Sequence, residues 1–253
     1  MKVGKILVSG IVAILLSSAL LASGQGTHWG YTGHEGPENW GDLSADYSLC
    51  KHGKSQSPIN IEKNVTVETK GLEPIEFDYN TGISSVINNG HTIQVNFDKG
   101  STIKIDGMSF SLLQLHFHTP SENQIDGEHF PFEGHFVHAT EDGSLAVVGI
   151  MFEDGAENPL IKKIWDKMPH KANEKNALSI SADEVNKFLP KDKAYYRFTG
   201  SLTTPPCSEG VRWLVLKSYS TISPAQVKEF SKALNGVNNN RPVQPIKARK
   251  VMH

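Results

Sequence analysis

The sequence predicts a mainly β domain with a largely antiparallel sheet and helices at its periphery. Short runs rich in β-branched and aromatic residues recur between positions 83 and 219. Turn signals such as Asn89-Gly90, Asp106-Gly107 and Asp142-Gly143 separate these runs. Close-spaced strands joined by such turns favour antiparallel pairing, because parallel strands need long crossovers. Three segments carry the start signals of a helix, so helices are the minor element.

The individual elements follow from these signals in chain order. We expect strands at Ile83–Ile87, Thr92–Phe97, Thr102–Ile105, Ser111–His118, His135–Thr140, Leu145–Phe152, Tyr195–Leu202 and Val211–Tyr219. The helices begin after Asn158, Ser181 and Ser223. Each serine is followed three residues later by Glu184 or Gln226, which is the pattern of a capping box.

Three histidines in two spacings are the main functional signal. His116 and His118 are two residues apart in one predicted strand, so their side chains lie on the same face. Glu133 and His135 repeat that spacing in a second strand, and neighbouring strands would direct all three imidazoles at one point. Three neutral imidazoles with one open position form a catalytic zinc site. Gln114 and Glu133 each precede a histidine by two residues, where they can accept its second ring N–H.

Length and charge bound the class of protein. The chain has 253 residues and a formal net charge of −2, which gives no electrostatic case for a nucleic-acid partner. Residues 1–24 have the layout of a secretory signal peptide, with a positive start at Lys2 and Lys5, an apolar run over 6–21 and small residues after it. We expect cleavage near 22–25, a mature domain over 25–253 and no stable membrane span afterwards. An uncleaved membrane anchor is the alternative.

The chain contains two cysteines, Cys50 and Cys207, which are 157 positions apart. An even number of widely spaced cysteines in an exported protein favours a disulfide, and two buried free thiols are the alternative. Closing so long a loop would stabilise the fold by about 5 kcal/mol in the chain-entropy view. We therefore expect a periplasmic or secreted protein with one disulfide.

Six further motifs occur in order along the chain. They are His28–Tyr31, Gly36–Trp40, Ser55–Ile61, Leu112–His118 with Ser121-Glu122, Glu133–His138, and Ser201–Cys207 with Val211-Arg212-Trp213. This set resembles the α-class carbonic anhydrases of the bacterial exported type, over about residues 28–249. The resemblance implies a single domain around a large, central, twisted and mostly antiparallel β-sheet. It also implies an enzyme that reversibly hydrates carbon dioxide to bicarbonate and a proton by means of zinc-bound hydroxide.

The resemblance further implies roles for individual residues. The Zn²⁺ ligands would be His116, His118 and His135. Thr203 would accept the proton of the hydroxide and donate its own to Glu122, and His91 would be the proton shuttle with an ordinary pKa near 6.5. The substrate pocket would be lined by Thr203, Thr204, Val137, Val147, Leu202, Val211 and Trp213. Water on the proton path would be ordered by Tyr31, Asn89, Gln94 and Thr204.

Two residues depart from the usual pattern of that family. Gln94 stands where many members have Asn, which could alter the water chain and the rate of proton transfer. Asn123 follows Glu122 where many members have His. The sequence therefore does not say whether the family's contact behind the metal ligands is made at this position. The implied partner is a small-molecule substrate, carbon dioxide or bicarbonate, and the resemblance leaves a homodimer open.

Two other functions compete with this interpretation. A cupin-like metal dioxygenase would use His116, His118 and Glu122 as direct ligands to iron or manganese. The Glu133-His135 pair and the Thr203-Thr204 segment have no place in such a site. A catalytically inactive zinc-binding protein on the same fold is the second alternative, although loss of activity would normally remove a ligand.

Overall fold

The computed structural model describes residues 27–253, so the predicted leader and its cleavage site lie outside the described residues. The strands are β1 (Asn60–Ile61), β2 (Glu76–Asp78), β3 (Ile83–Asn88), β4 (Ile93–Phe97), β5 (Thr102–Ile105), β6 (Met108–His118), β7 (Gln124–Ile125), β8 (Phe132–Ala139), β9 (Leu145–Asp154), β10 (Glu174–Ile180), β11 (Tyr195–Ser201), β12 (Glu209–Leu216) and β13 (Ser220–Ile222). The helices are α1 (Trp40–Leu43), α2 (Leu49–His52), α3 (Pro159–Trp165), α4 (Ala182–Phe188) and α5 (Pro224–Ala233).

An eleven-stranded sheet forms the centre of the molecule. Its main path runs β10-β3-β4-β6-β8-β9-β12-β11, with β5 paired to β6, β2 to β5 and β13 to β9. All pairs are antiparallel except those of β9 with β12 and with β13. β1 and β7 form a separate parallel pair. The predicted mainly β class with a large, mostly antiparallel central sheet is therefore confirmed.

The predicted elements are present, with differences at their ends. The predicted strand Val211–Tyr219 corresponds to β12, which ends earlier, at Leu216, and the separate strand β13 that begins at Ser220 was not predicted. Strand β10 was not predicted from the sequence. It lies at the sheet edge against β3, and its first half, which includes the exposed Glu174, Lys175 and Asn176, contains none of the β-branched or aromatic residues that mark a strand.

The two faces of the central sheet bury different clusters. Leu115, Phe117 and Phe136 belong to the larger cluster, where Trp165 of α3 and Phe230 of α5 cover the sheet. Because side chains alternate along a strand, the histidines at 116, 118 and 135 lie on the opposite face. That face carries the smaller apolar cluster, which includes Val137, Val147 and Trp213.

The chain after α5 has little regular structure but is fixed to the rest of the domain. The N–H of Asn239 donates to the carbonyl of Thr119, and the N–H of Met252 donates to that of Arg197. Cys50 and Cys207 form the predicted disulfide. None of the helices within residues 27–253 has the length and apolar character needed to cross a membrane.

Candidate metal centre

Strands β6 and β8 bring the three histidines together. His116 is the direct partner of His135 in the antiparallel register, and His118 is the partner of Glu133. Each histidine offers one ring nitrogen such that the three atoms lie within 4.8 Å of one another. The ring centroids of His118 and His135 are 4.6 Å apart. Two adjacent strands therefore supply a three-imidazole cluster.

Each of these histidines has one nitrogen next to a fixed acceptor. His116 Nδ1 lies 2.8 Å from Gln114 Oε1, and His118 Nδ1 lies 2.7 Å from the carbonyl oxygen of Asn239. His135 Nε2 lies 2.9 Å from Glu133 Oε1. The opposite nitrogen of each ring is thereby left for a common ligand.

Burial keeps the three imidazoles neutral. It lowers the pKa of His118 to about 4, and it lowers the pKa values of His116 and His135 well below the usual range. Neutral imidazole is the form that binds a metal. His118 Nε2 is buried and has no hydrogen-bond partner within residues 27–253. A buried nitrogen without a partner is costly, and a metal ion would supply the missing interaction. The residues therefore fit a zinc ion.

Glu133 is held from behind the cluster by Asn123. Its Oε2 accepts hydrogen bonds from the backbone N–H groups of Glu122 (2.7 Å) and Asn123 (2.9 Å), and its Oε1 accepts from Asn123 Nδ2 (2.8 Å). Burial raises the pKa of Glu133, while the two bonds from Asn123 act in the opposite direction. The residue at the unusual position thus fixes the carboxylate that contacts His135.

Glu122 lies beside the histidines and contacts Thr203. It is fully buried; its Oε1 accepts from the backbone N–H of Arg241 at 2.9 Å, and its Oε2 lies 3.5 Å from His118 Nε2. Burial raises the pKa of Glu122 to about 8, while the backbone N–H of Arg241 and the nearby Thr203 hydroxyl act in the opposite direction. Within residues 27–253 Glu122 Oε2 makes no hydrogen bond, so this oxygen is left to accept from the Thr203 hydroxyl.

An apolar wall adjoins His135. Val137 pairs with Val147, and Val147 pairs with Trp213, so the three form one row across β8, β9 and β12. The edge of the Trp213 ring meets the His135 ring at a centroid distance of 4.9 Å. Val211 and Leu202 belong to the same apolar cluster. Of the predicted lining residues, Trp213 is thus in contact with a histidine of the cluster.

Comparison with known proteins gives the family. The family model for eukaryotic-type carbonic anhydrases matches residues 35–253. The chain belongs to the α-carbonic anhydrase family. The carbonic anhydrase of Pectobacterium carotovorum is 45% identical over 96% of this chain and 98% of its own. That of Neisseria gonorrhoeae is 48% identical over 95% of this chain and 94% of its own.

Solved structures agree with this family. The α-carbonic anhydrase of Thermovibrio ammonificans, in complex with the inhibitor sulfanilamide, is 48% identical with a TM-score of 0.87, and the match covers 90% of this chain and all of that chain. A dioscorin complexed with ascorbate is 33% identical with a TM-score of 0.83, and the match covers 89% of this chain and 97% of that chain. Carbonic anhydrases interconvert carbon dioxide and bicarbonate, and the chain is an enzyme of this class.

His91, for which the resemblance implies the role of proton shuttle, stacks on Trp29. The two rings are 3.8 Å apart and inclined by 9°. Burial, with a smaller contribution from His28, lowers the pKa of His91 to about 4. The sequence led us to expect a pKa near 6.5, which assumed an unburied ring. In this position His91 is neutral at neutral pH.

The residues expected to order water lie in four different settings. Asn89 Oδ1 accepts from the N–H groups of His91 and Thr92, both at 2.9 Å, and so shapes the turn before β4. Gln94 pairs with His116 across the strands, while its Nε2 donates to Asn96 Oδ1 at 2.7 Å.

Tyr31 and Thr204 complete the water-ordering set. Tyr31 packs edge-on against Trp29 and Trp40, and burial together with the charge of Glu122 raises its pKa. Thr204 accepts at its carbonyl from the N–H of Cys207. Its hydroxyl is therefore free of that turn.

Sequence reasoning missed two residues that contact the carbonic anhydrase site. Asn239 supplies the carbonyl beside His118, and Arg241 supplies the N–H beside Glu122. Both contacts use backbone atoms, so the residue types at these positions do not predict them. They come from the irregular segment after α5, which has no periodic pattern to place it.

Proposed function

We propose that this chain catalyses the reversible hydration of carbon dioxide with Zn²⁺ held by His116, His118 and His135. The observation that carries the proposal is the convergence of three buried imidazoles within 4.8 Å. Family membership and the apolar wall at Trp213 support it. Zinc in such a site, for which carbonic anhydrase itself is the standard example, makes water nucleophilic near neutral pH.

The protein's first task is to hold the ligands in one orientation. Gln114, Glu133 and the Asn239 carbonyl each fix one ring, and this support increases ligand basicity and metal affinity. The cupin-like alternative would require Glu122 to ligate the metal directly. Glu122 Oε1 instead accepts from the Arg241 N–H, and the Thr203 hydroxyl lies near the same carboxyl group, which supports a role as a hydrogen-bond acceptor.

Thr203 and the apolar wall would then direct the attack. When the Thr203 hydroxyl donates to Glu122, its oxygen lone pairs remain to accept the proton of the nucleophilic water, which orients the nucleophile towards the substrate. The backbone N–H of Thr203 would meet a substrate oxygen. Val137, Val147 and Trp213 give carbon dioxide, which has no net charge, an apolar place beside the metal.

Stopped-flow hydration of carbon dioxide by the mature protein tests the proposal. We expect fast hydration that a zinc chelator removes and added Zn²⁺ restores. Added Fe²⁺ or Mn²⁺ serves as the control, because the dioxygenase alternative needs one of them. A zinc-loaded protein without hydration would overturn the catalytic proposal and favour the inactive binding protein.

We also propose His91 as the group that carries protons to solvent, with Tyr31, Asn89, Gln94 and Thr204 ordering the intervening water. For His91→Ala we expect a lower kcat in weak buffer, restored by added imidazole, with kcat/KM nearly unchanged because proton transfer follows the hydration step. Stopped-flow assays at several buffer concentrations measure this. A kcat that is independent of buffer in the variant would mean that protons leave by another route.

Export is the remaining proposal. Disulfides persist in oxidising compartments, so the Cys50–Cys207 bridge supports a periplasmic or secreted location. The leader at 1–24 is consistent with it. Mass spectrometry of the native protein would give a start near residues 22–25, whereas a start at Met1 in a membrane fraction would contradict cleavage.

A further inference from the structure

We propose that Arg241 is a positioning residue for the Thr203–Glu122 pair, and that Gln56 joins its guanidinium to the loop that carries Thr203. The inference rests on the proposed function, because the pair acts in the hydration step. It also assigns a role to the motif Ser55–Ile61, which the proposed function leaves unused.

The guanidinium of Arg241 is fixed inside the protein. Only 1% of the residue is exposed. Nη1 donates to Gln56 Oε1 at 2.9 Å and to the carbonyl of Ser57 at 2.8 Å, while Nη2 donates to the carbonyl of Cys50 at 2.9 Å. The planar group also lies 5.7 Å from the centre of the Trp40 ring. Three short charge-assisted hydrogen bonds and the Trp40 ring together hold the Arg241 side chain in a single conformation.

This anchor holds the backbone of the same residue against Glu122. The Arg241 N–H donates to Glu122 Oε1 at 2.9 Å. The segment around it lies outside any helix or strand, so regular structure does not fix the position of that N–H. The side chain does so instead. Glu122 is thereby held from one side by the Arg241 backbone and contacted from the other by the Thr203 hydroxyl.

Gln56 ties the same anchor to the other member of the pair. Its Oε1 accepts from Arg241, and its Nε2 donates to the carbonyl of Cys207 at 3.0 Å. The N–H of Cys207 in turn donates to the carbonyl of Thr204, the residue after Thr203. One buried amide therefore spans the two segments, and the distance between Glu122 and Thr203 depends on it.

Loss of the anchor should affect the hydration step alone. The guanidinium contacts neither a zinc-binding histidine nor His91, because its partners are Gln56, Ser57, Cys50 and Trp40. Zinc content and the proton-transfer part of kcat should therefore persist. For Arg241→Met we expect kcat/KM to fall about tenfold, the usual effect of losing one well-oriented hydrogen bond. Arg249→Met is the control, because the Arg249 side chain likewise makes three hydrogen bonds, all to backbone carbonyls, but does not contact Glu122.

A double-mutant cycle separates positioning from a general loss of structure. In a Thr203→Ala background there is no hydroxyl left to orient, so adding Arg241→Met should change kcat/KM by less than about twofold. If the tenfold loss reappears in that background, or if kcat/KM falls equally in Arg249→Met, the proposal is wrong. Gln56→Leu provides the milder variant should Arg241→Met fail to fold.

Hydrogen exchange of the zinc-free protein tests the inference without catalysis. In Gln56→Leu we expect the amide of Arg241 to exchange about tenfold faster, while the amides of β8 keep their protection. Unchanged exchange at Arg241 would overturn the anchor. A protein that passes this test but does not hydrate carbon dioxide would refute the proposed function and not the anchor.

Discussion

His135 and His138 are both buried on β8, three residues apart, yet they lie in opposite environments. His138 has both nitrogens engaged, with the Tyr79 hydroxyl 2.7 Å from Nε2 and the carbonyl of Ala146 3.3 Å from Nδ1. His135 has Glu133 Oε1 2.9 Å from Nε2, whereas its Nδ1 makes no hydrogen bond within residues 27–253 and lies 3.9 Å from Glu122 Oε2. Burial alone therefore does not make a histidine a candidate ligand. A nitrogen left without a protein partner, next to others like it, does so.

The largest effect should come from the metal-facing side. For His116→Ala we expect zinc binding and hydration to be lost, because two imidazoles cannot complete the site. The loss should exceed the roughly 100-fold that removal of an orienting partner can cost. Metal analysis and stopped-flow assays measure both. Substitution of the exposed His34 by Ala is the control, and near-normal hydration by His116→Ala would end the ligand assignment.

Substitution of His138, on the opposite face of β8, should lower the stability of the protein and leave metal binding unchanged. For His138→Ala we expect the free energy of unfolding to fall by about 3 kcal/mol, since the Tyr79 hydroxyl and the Ala146 carbonyl lose their partner and a cavity forms. Tyr79→Phe should cost about 1 kcal/mol. Urea unfolding gives these values. A fall in zinc content in either variant would contradict the separation of the two faces.

The pH dependence of His138→Ala sharpens the same test. Burial lowers the pKa of His138 to about 3, so the unfolded state, with an ordinary pKa near 6.5, binds more protons between these values. This residue therefore makes the wild-type protein less stable as the pH falls through that window. The variant should show a shallower loss, by up to about 1.4 kcal/mol per pH unit.

On the metal-facing side, removing one orienting partner should have a smaller effect than removing a ligand. For Gln114→Leu we expect the affinity for zinc to fall about 10–100-fold, because the His116 ring loses its acceptor. Competition with a chelator of known affinity measures this. Tyr79→Phe is the matched control, since it removes the partner of a buried histidine on the other face and should leave zinc affinity unchanged.

Local patterns explain what could be predicted. The two-residue period of a strand places His116 with His118 and Glu133 with His135, and it sends His138 to the other face. The capping boxes at Ser181 and Ser223 are also local, and both are present. The prediction of the disulfide depended on the number of cysteines and on the predicted leader.

Contacts made by segments that are distant in sequence and lack regular structure could not be predicted. Asn239 and Arg241 contribute through backbone atoms from a segment more than a hundred positions after β6. The pKa of His91 depends on Trp29, which no periodicity brings to it. Strand β10 carries charges on an edge, so it forms through pairing with β3 and not through its own propensity.

The position of Asn239 and Arg241 far along the chain has a consequence for biosynthesis. A polypeptide emerges from the ribosome in order from its N-terminus. The three histidines, Thr203 and the apolar wall would all be available before the residues that steady His118 and Glu122 have been made. A product truncated before residue 239 would carry every side chain of the reaction and still lack its supports. Catalytic activity would therefore report that translation had passed residue 241.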